Sequence, residues 1–187
     1  WFDEYEGAGL DGIVAKPLEG TYQPGRRVMY KVKHVRTADC VVAGYRTYRS
    51  DERAVGSLLL GLYDDAGTLV HVGVVGAFSA ERRRALFEDL QPLVTAFEGH
   101  PWDPEGPAAE VRTPLSSGYS RWSAGKDLTF VPLRPERVVE VRYDHMEGDR
   151  FRHTTQFVRW RPDRDPGSCG FSQIEEPVRY DLADVLT

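Results

Sequence analysis

The chain has 187 residues, 41% of them hydrophobic and 28% charged, with a formal net charge of −5. That length and apolar share suit one domain or one and a half around a sizeable core, and with no apolar run near about 18 residues and no signal-peptide pattern neither export nor membrane insertion is indicated. Two cysteines far apart, Cys40 and Cys169, give no disulfide framework and no metal-ligand spacing, so a reducing, cytoplasmic setting is expected.

In chain order, Trp1 to Gly9 is a short acidic segment in which Phe2, Tyr5 and Leu10 form the apolar stripe of a helix end. Ile13–Ala15 reads as a strand, Glu19–Arg26 as turn, and Val28–His34 as a second strand. The pattern then becomes strand-rich: Asp39–Tyr48, Gly56–Tyr63, a hairpin turn at Asp64-Asp65-Ala66-Gly67, and Leu69–Val75. Gly44, Gly61, Gly73 and Gly76 suit the bulges and bends that curl a sheet into a small barrel. Ser79 to Val94 predicts the one main helix, capped by Ser79, with Leu86, Phe87, Leu90 and Leu93 on its apolar face and Pro92 near its end. Glu98–Pro135 is rich in Pro, Gly and Ser and reads as a long connection. Trp102 and Trp122 lie within it and are expected to anchor it. Two more strands follow, Arg137–His145 and His153–Trp160.

The overall charge argues against a nucleic-acid partner, but its distribution does not. Arg26 to Arg53 holds eight Lys/Arg against three acids, and Arg150 to Arg164 holds five Arg against one Asp. Two separated basic segments are compatible with one phosphate-binding face and equally with solvated strand edges. The five histidines show no metal-ligand spacing.

Three motifs carry chemistry. Leu10-Asp11-Gly12-Ile13-Val14-Ala15-Lys16 is an apolar strand with a carboxylate before it and a lysine after it. Met29-Tyr30-Lys31-Val32-Lys33 places two ammonium groups on one face of a strand. Arg159-Trp160-Arg161-Pro162-Asp163-Arg164 is an arginine-rich run near the C-terminus. Each of the first two alone reads as a strand with charged edges. Together and in this order they resemble motifs IV, V and VI of the covalent nucleotidyltransferases, which include ATP-dependent DNA ligases and mRNA capping enzymes. The pattern is most like the bacterial ATP-dependent DNA ligases of the end-joining and repair type, with Arg36-Thr37-Ala38-Asp39 leading into their second domain.

The resemblance implies a mainly β chain with one main helix. Residues 1–35 would be a remnant of the nucleotidyltransferase (adenylation) sheet, and residues 36–187 a five-stranded OB-fold Greek-key barrel that binds DNA. It also implies ATP and Mg²⁺ as cofactors of the full-length enzyme, neither expected to bind this fragment tightly. Asp11 would act through the metal, although the family usually has glutamate there. Lys31 and Lys33, with Lys16, would contact the α-phosphate. Arg159, Arg161, Asp163 and Arg164 would orient the β- and γ-phosphates, with Arg159 and Arg161 catalytic alongside the two lysines. Arg164 stands where lysine is common, and Arg152 is one residue out of register with the commonest spacing. The family's nucleophilic lysine lies in a K-x-D-G motif, and none occurs here: Lys126-Asp127 is followed by Leu128. The chain is therefore expected to be a fragment that cannot adenylate itself. Its expected partners are nicked double-stranded DNA and the missing part of the adenylation domain. Other readings of the same residues are a capping enzyme or RNA ligase, and a non-catalytic module for single strands.

Overall fold

The computed structural model describes residues 12–106, 111–116 and 127–174. The predicted helix end at Trp1–Gly9, the metal candidate Asp11 and the loop tryptophan Trp122 lie outside them. The contacts separate two compact units, the described residues 12–35 in one and Arg36–Ile174 in the other.

The first unit is a two-stranded antiparallel ribbon of β1, Gly12–Ala15, and β2, Tyr30–Lys33. Gly12 is paired with Lys33 at φ 151°, and a Cβ there would lie 2.1 Å from the Val32 carbonyl oxygen, so only glycine fits. Ile13, Val14, Met29, Tyr30 and Val32 are all exposed.

The second unit is built on β3 (Arg36–Tyr48), β4 (Asp51–Tyr63), β5 (Leu69–Val75), β6 (Val131–Tyr143) and β9 (Gln156–Trp160), with α1 (Ala80–Leu90) between β5 and β6. A small hairpin, β7 (Met146–Glu147) and β8 (Arg150–Phe151), precedes β9. The five long strands form one antiparallel sheet in the order β5-β4-β3-β6-β9. Successive strand residues point to opposite faces. The unbroken buried runs of β3, from Ala38 to Tyr45, and of β4, from Leu58 to Leu62, therefore mean that both faces are covered. α1 packs on β4 through Leu86 and Leu90, and its N-cap Ser79 Oγ accepts the Arg82 amide at 3.2 Å. Pro92 lies in the 3₁₀ turn Gln91–Leu93 that ends the helix.

The expected closed OB-fold barrel is not what forms. The outer strands β5 and β9 share no ladder; an isolated bridge joins Val75 of β5 to Thr155, the residue before β9, where the Thr155 amide and hydroxyl both donate to the Val74 carbonyl. β9 is only five residues long and begins beyond that point, and Phe78 and Arg82 pack on Phe157 where further pairing would run. The sheet is antiparallel throughout and open.

The start of the long connection, within the described residues 98–106, is anchored by Trp102. This side chain is fully buried, donates Nε1–H to the Leu69 carbonyl at 2.8 Å and stands edge-on to His71, His100 and Phe130. β6 starts at Val131 rather than Arg137 because its prolines fall at a break in the register. Gly44 pairs with Pro132 and Val42 with Arg137, so the chain from Leu133 to Glu136 bulges opposite Ala43 alone.

Candidate functional site

The register of β3, β6 and β9 sets a row of charge across the sheet. Asp39 pairs with Glu140, and Glu140 pairs with Arg159. Directly opposed residues share a face, and Arg159 Nε donates to Glu140 Oε2 at 2.7 Å. The arginine is well exposed and the glutamate mostly covered.

Just past β9 the amide of Arg161 still donates to the Val138 carbonyl, and then Pro162-Asp163-Arg164 turns back, with the Arg164 amide on the Arg161 carbonyl. The turn folds the Asp163 carboxylate against the Nε–Nη2 edge of Arg161, at 3.0 Å from Nε to Oδ1 and 2.9 Å from Nη2 to Oδ2. The Nη1 group of Arg161 reaches both oxygens of Asp39, at 3.0 and 2.8 Å. One guanidinium is thus held between two carboxylates, an exposed one on its own turn and a buried one on β3. These bonds hold Arg161 in its charged form, above the ordinary arginine range, with Asp163 the larger influence. In return Arg161 lowers Asp163 to about 2. Arg164 comes within 3.8 Å of the same Asp39 oxygen and donates from Nη2 to the Ser168 carbonyl. Its Nε is buried without a hydrogen-bond partner among the described residues.

The segment after the turn straps this cluster to the sheet. The Cys169 carbonyl accepts the Tyr63 amide at 2.8 Å. The Gln173 side chain accepts the Asp39 amide at 2.7 Å and donates to the Asp39 carbonyl at 2.9 Å. β4 begins to pair with β3 only at Val41, so Gln173 fills the place of a neighbouring strand at Asp39.

The arginines singled out by sequence, Arg159, Arg161 and Arg164, with Asp163, are therefore brought together in the second unit. Lys16, Lys31 and Lys33 belong to the first. Lys31 and Lys33 lie two apart on β2 and so share a face, and Lys16 is exposed just after β1. Three residues of the cluster escaped sequence reasoning: Asp39, Glu140 and Gln173. Asp39 carries a usable signal, a carboxylate within the apolar run Ala38-Asp39-Cys40-Val41, since a buried acid in such a strand needs a cationic partner.

His71 and His100 are core residues. His100 Nδ1 accepts the Trp102 amide, which leaves the proton on Nε2 to face the Ala43 and Leu133 carbonyls, and burial lowers its pKa. Burial, reinforced by Arg112, lowers His71 to about 3. Among the described residues there is no group of three or more His, Cys, Asp or Glu arranged to hold a metal, and no helix long and apolar enough to cross a membrane.

Residues 51–164 match the family described as the ATP dependent DNA ligase C terminal region. The chain is 62% identical over 186 residues to DNA ligase C of Mycobacterium tuberculosis, covering all of this chain and 52% of that protein. It is 66% identical over 180 residues to DNA ligase C2 of Mycolicibacterium smegmatis, covering 95% of this chain and 51% of that protein. The chain thus spans about half the length of these relatives. Among solved structures, the ligase domain of M. tuberculosis LigD is 31% identical with a TM-score of 0.55, over 90% of this chain and 48% of that one. A mycobacterial DNA ligase D complexed with ATP and MES is 33% identical with a TM-score of 0.50, over 86% of this chain and 46% of that one.

Proposed function

The chain belongs to the ATP-dependent DNA ligases, as the C-terminal region of one related to LigD, and on that premise we propose that it supplies the phosphate-gripping surface of a nick-sealing enzyme without its nucleophile. In this reading the intact protein joins a 5′-phosphate to a 3′-hydroxyl in nicked duplex DNA through enzyme-adenylate and DNA-adenylate intermediates. Residues 1–35 form the end of the adenylation domain and residues 36–187 a DNA-binding domain. The nucleophilic lysine comes from elsewhere in the intact protein, since no K-x-D-G motif stands in these 187 residues.

The observation that carries the reading is the arginine cluster on and after β9. Arg161 already holds a carboxylate edge-on through Nε and Nη2. The same fork takes a phosphate in the same two-point manner, and Asp163, 60% exposed, is free to give way to one. Arg159 and Arg164 add charge beside it. These donors fit the β- and γ-phosphates of ATP, whose bond to the α-phosphate is the one broken in self-adenylation. A cation placed at the departing pyrophosphate stabilises the charge that develops there. Lys31 and Lys33, paired on one face of β2, suit the α-phosphate, with Lys16 nearby in sequence. Asp11 remains the candidate ligand for Mg²⁺.

The exposed apolar residues of the β1–β2 ribbon support the domain assignment. A two-stranded ribbon is at best marginal alone in water, and this one presents Ile13, Val14 and Val32 to solvent.

The test is Arg161→Ala in the intact protein. Self-adenylation with ATP is expected to fall on the order of 100-fold, while sealing of a nick already carrying the adenylate stays near the wild-type rate. Wild-type self-adenylation by Arg161→Ala would remove the proposed role.

A further inference from the structure

We infer that Asp39, braced by Gln173, is a positioning residue that aims Arg161 at its phosphate. The inference rests on the proposed role of Arg161 and adds to it how the guanidinium is held.

Arg161 leaves the sheet at the end of β9, where ladder pairing stops. Its two anionic partners differ in what they can fix. Asp163 is two residues away on the same turn, so it moves with Arg161 and cannot set the turn against the sheet. Asp39 lies 122 residues away on a central strand, has only 11% of its side chain exposed, and presents both oxygens to Nη1. Burying an ionised carboxylate is unfavourable unless it is paired and hydrogen-bonded, and here Arg161 is the close partner, with Arg164 at 3.8 Å. The backbone of Asp39 is fixed from both sides, by Glu140 on β6 and by the two-point contact of the Gln173 amide.

The geometry divides the guanidinium into two working ends. Nη1 stays on Asp39 and sets the direction of the group. The Nε–Nη2 edge, now on exposed Asp163, is the end that can exchange one oxyanion for another. An arginine so held loses less freedom when it meets a phosphate, and a misplacement of about 1 Å can cost roughly 100-fold in rate. The strap that carries Gln173 follows directly from the arginine turn, so its docking on β3 and the aim of Arg161 are one structural event.

The experiment uses the intact protein and two assays, self-adenylation with ATP and sealing of a pre-adenylated nick. Asp39→Asn keeps the size and removes the charge. Self-adenylation is expected to fall about tenfold or more, with sealing of the pre-adenylated nick within about twofold of wild type. Because Asp39 acts through Arg161, the double variant Asp39→Asn/Arg161→Ala should be no slower than Arg161→Ala alone. Should Asp39→Asn fail to fold, Gln173→Met decides. It leaves the carboxylate in place and removes both hydrogen bonds to the Asp39 backbone, and a several-fold loss confined to self-adenylation is expected. Equal losses in both assays, no loss in either, or additive losses in the double variant would overturn the inference. If Arg161→Ala itself adenylates normally, it is the proposed role of Arg161 that has failed, and the inference falls with it.

Discussion

At Arg161 one side chain links the strand register to the chemistry. Asp39 and Asp163 both hold it, and Asp163 answers pH differently from the core histidines of the same unit. Asp163, drawn down to about 2 by Arg161, stays charged through any ordinary pH. Its contribution is present above the usual carboxylate range and lost only as pH falls toward 2, and its exposure keeps that contribution small. His71 works in the opposite sense. It is neutral in the fold, with its pKa lowered to about 3 by burial, whereas in the unfolded chain it charges near about 6.5. Protons therefore favour the unfolded chain, and the stability from neutral His71 is full above about pH 6.5 and declines as pH falls toward 3. Buried His100 is shifted in the same direction. Between pH 8 and pH 5 the expected loss from His71 is about 2 kcal/mol. Thermal melts should show the decline in wild type and a shallower one in His71→Phe. An equal slope in both proteins would mean that His71 is not the titrating group.

Among the elements, those written in local chemistry were legible. The turn at Asp64–Gly67 closes as expected: Asp64 Oδ1 accepts the Ala66 and Thr68 amides and Gly67 sits at φ 78°. Ser79 caps the helix, and Leu69–Val75 is a strand within the predicted bounds. What was not legible depends on partners distant in sequence. Nothing in the period of β9 tells whether it pairs with β5, so closure of the barrel could not be read. Pro132 and Pro135 hid the first part of β6, although Pro135 falls in the bulge opposite Ala43 and Pro132 at its edge, paired with Gly44. The three arginines were legible through the resemblance of the run Arg159–Arg164 to motif VI of the nucleotidyltransferases. Asp39 and Glu140 could not be assigned to them, because the pairing of β3 with β6 and β9 is a long-range fact. The bulge also yields a prediction. A Cβ at Gly44 would lie 2.7 Å from Phe130 Cδ2 and 3.1 Å from the Val131 carbonyl oxygen. Gly44→Ala is therefore expected to cost about 1–3 kcal/mol by overpacking, measured by denaturant melts. An unchanged midpoint would show that Phe130 moves aside freely.

For the whole molecule, the distribution of chemistry between the two units matters most. The ribbon of residues 12–33 carries the lysine pair and exposes apolar side chains. The unit of Arg36–Ile174 has its own core and carries the arginines. The chain covers about half of its curated relatives, and in the proposed function the nucleophile comes from elsewhere in the intact protein. The most direct measurement exposes the 187-residue chain and the intact protein side by side to α-radiolabelled ATP and Mg²⁺, followed by denaturation. The expected result is a covalently labelled band for the intact protein and none for the chain. A label on the 187-residue chain, or none on the intact protein, would contradict the account.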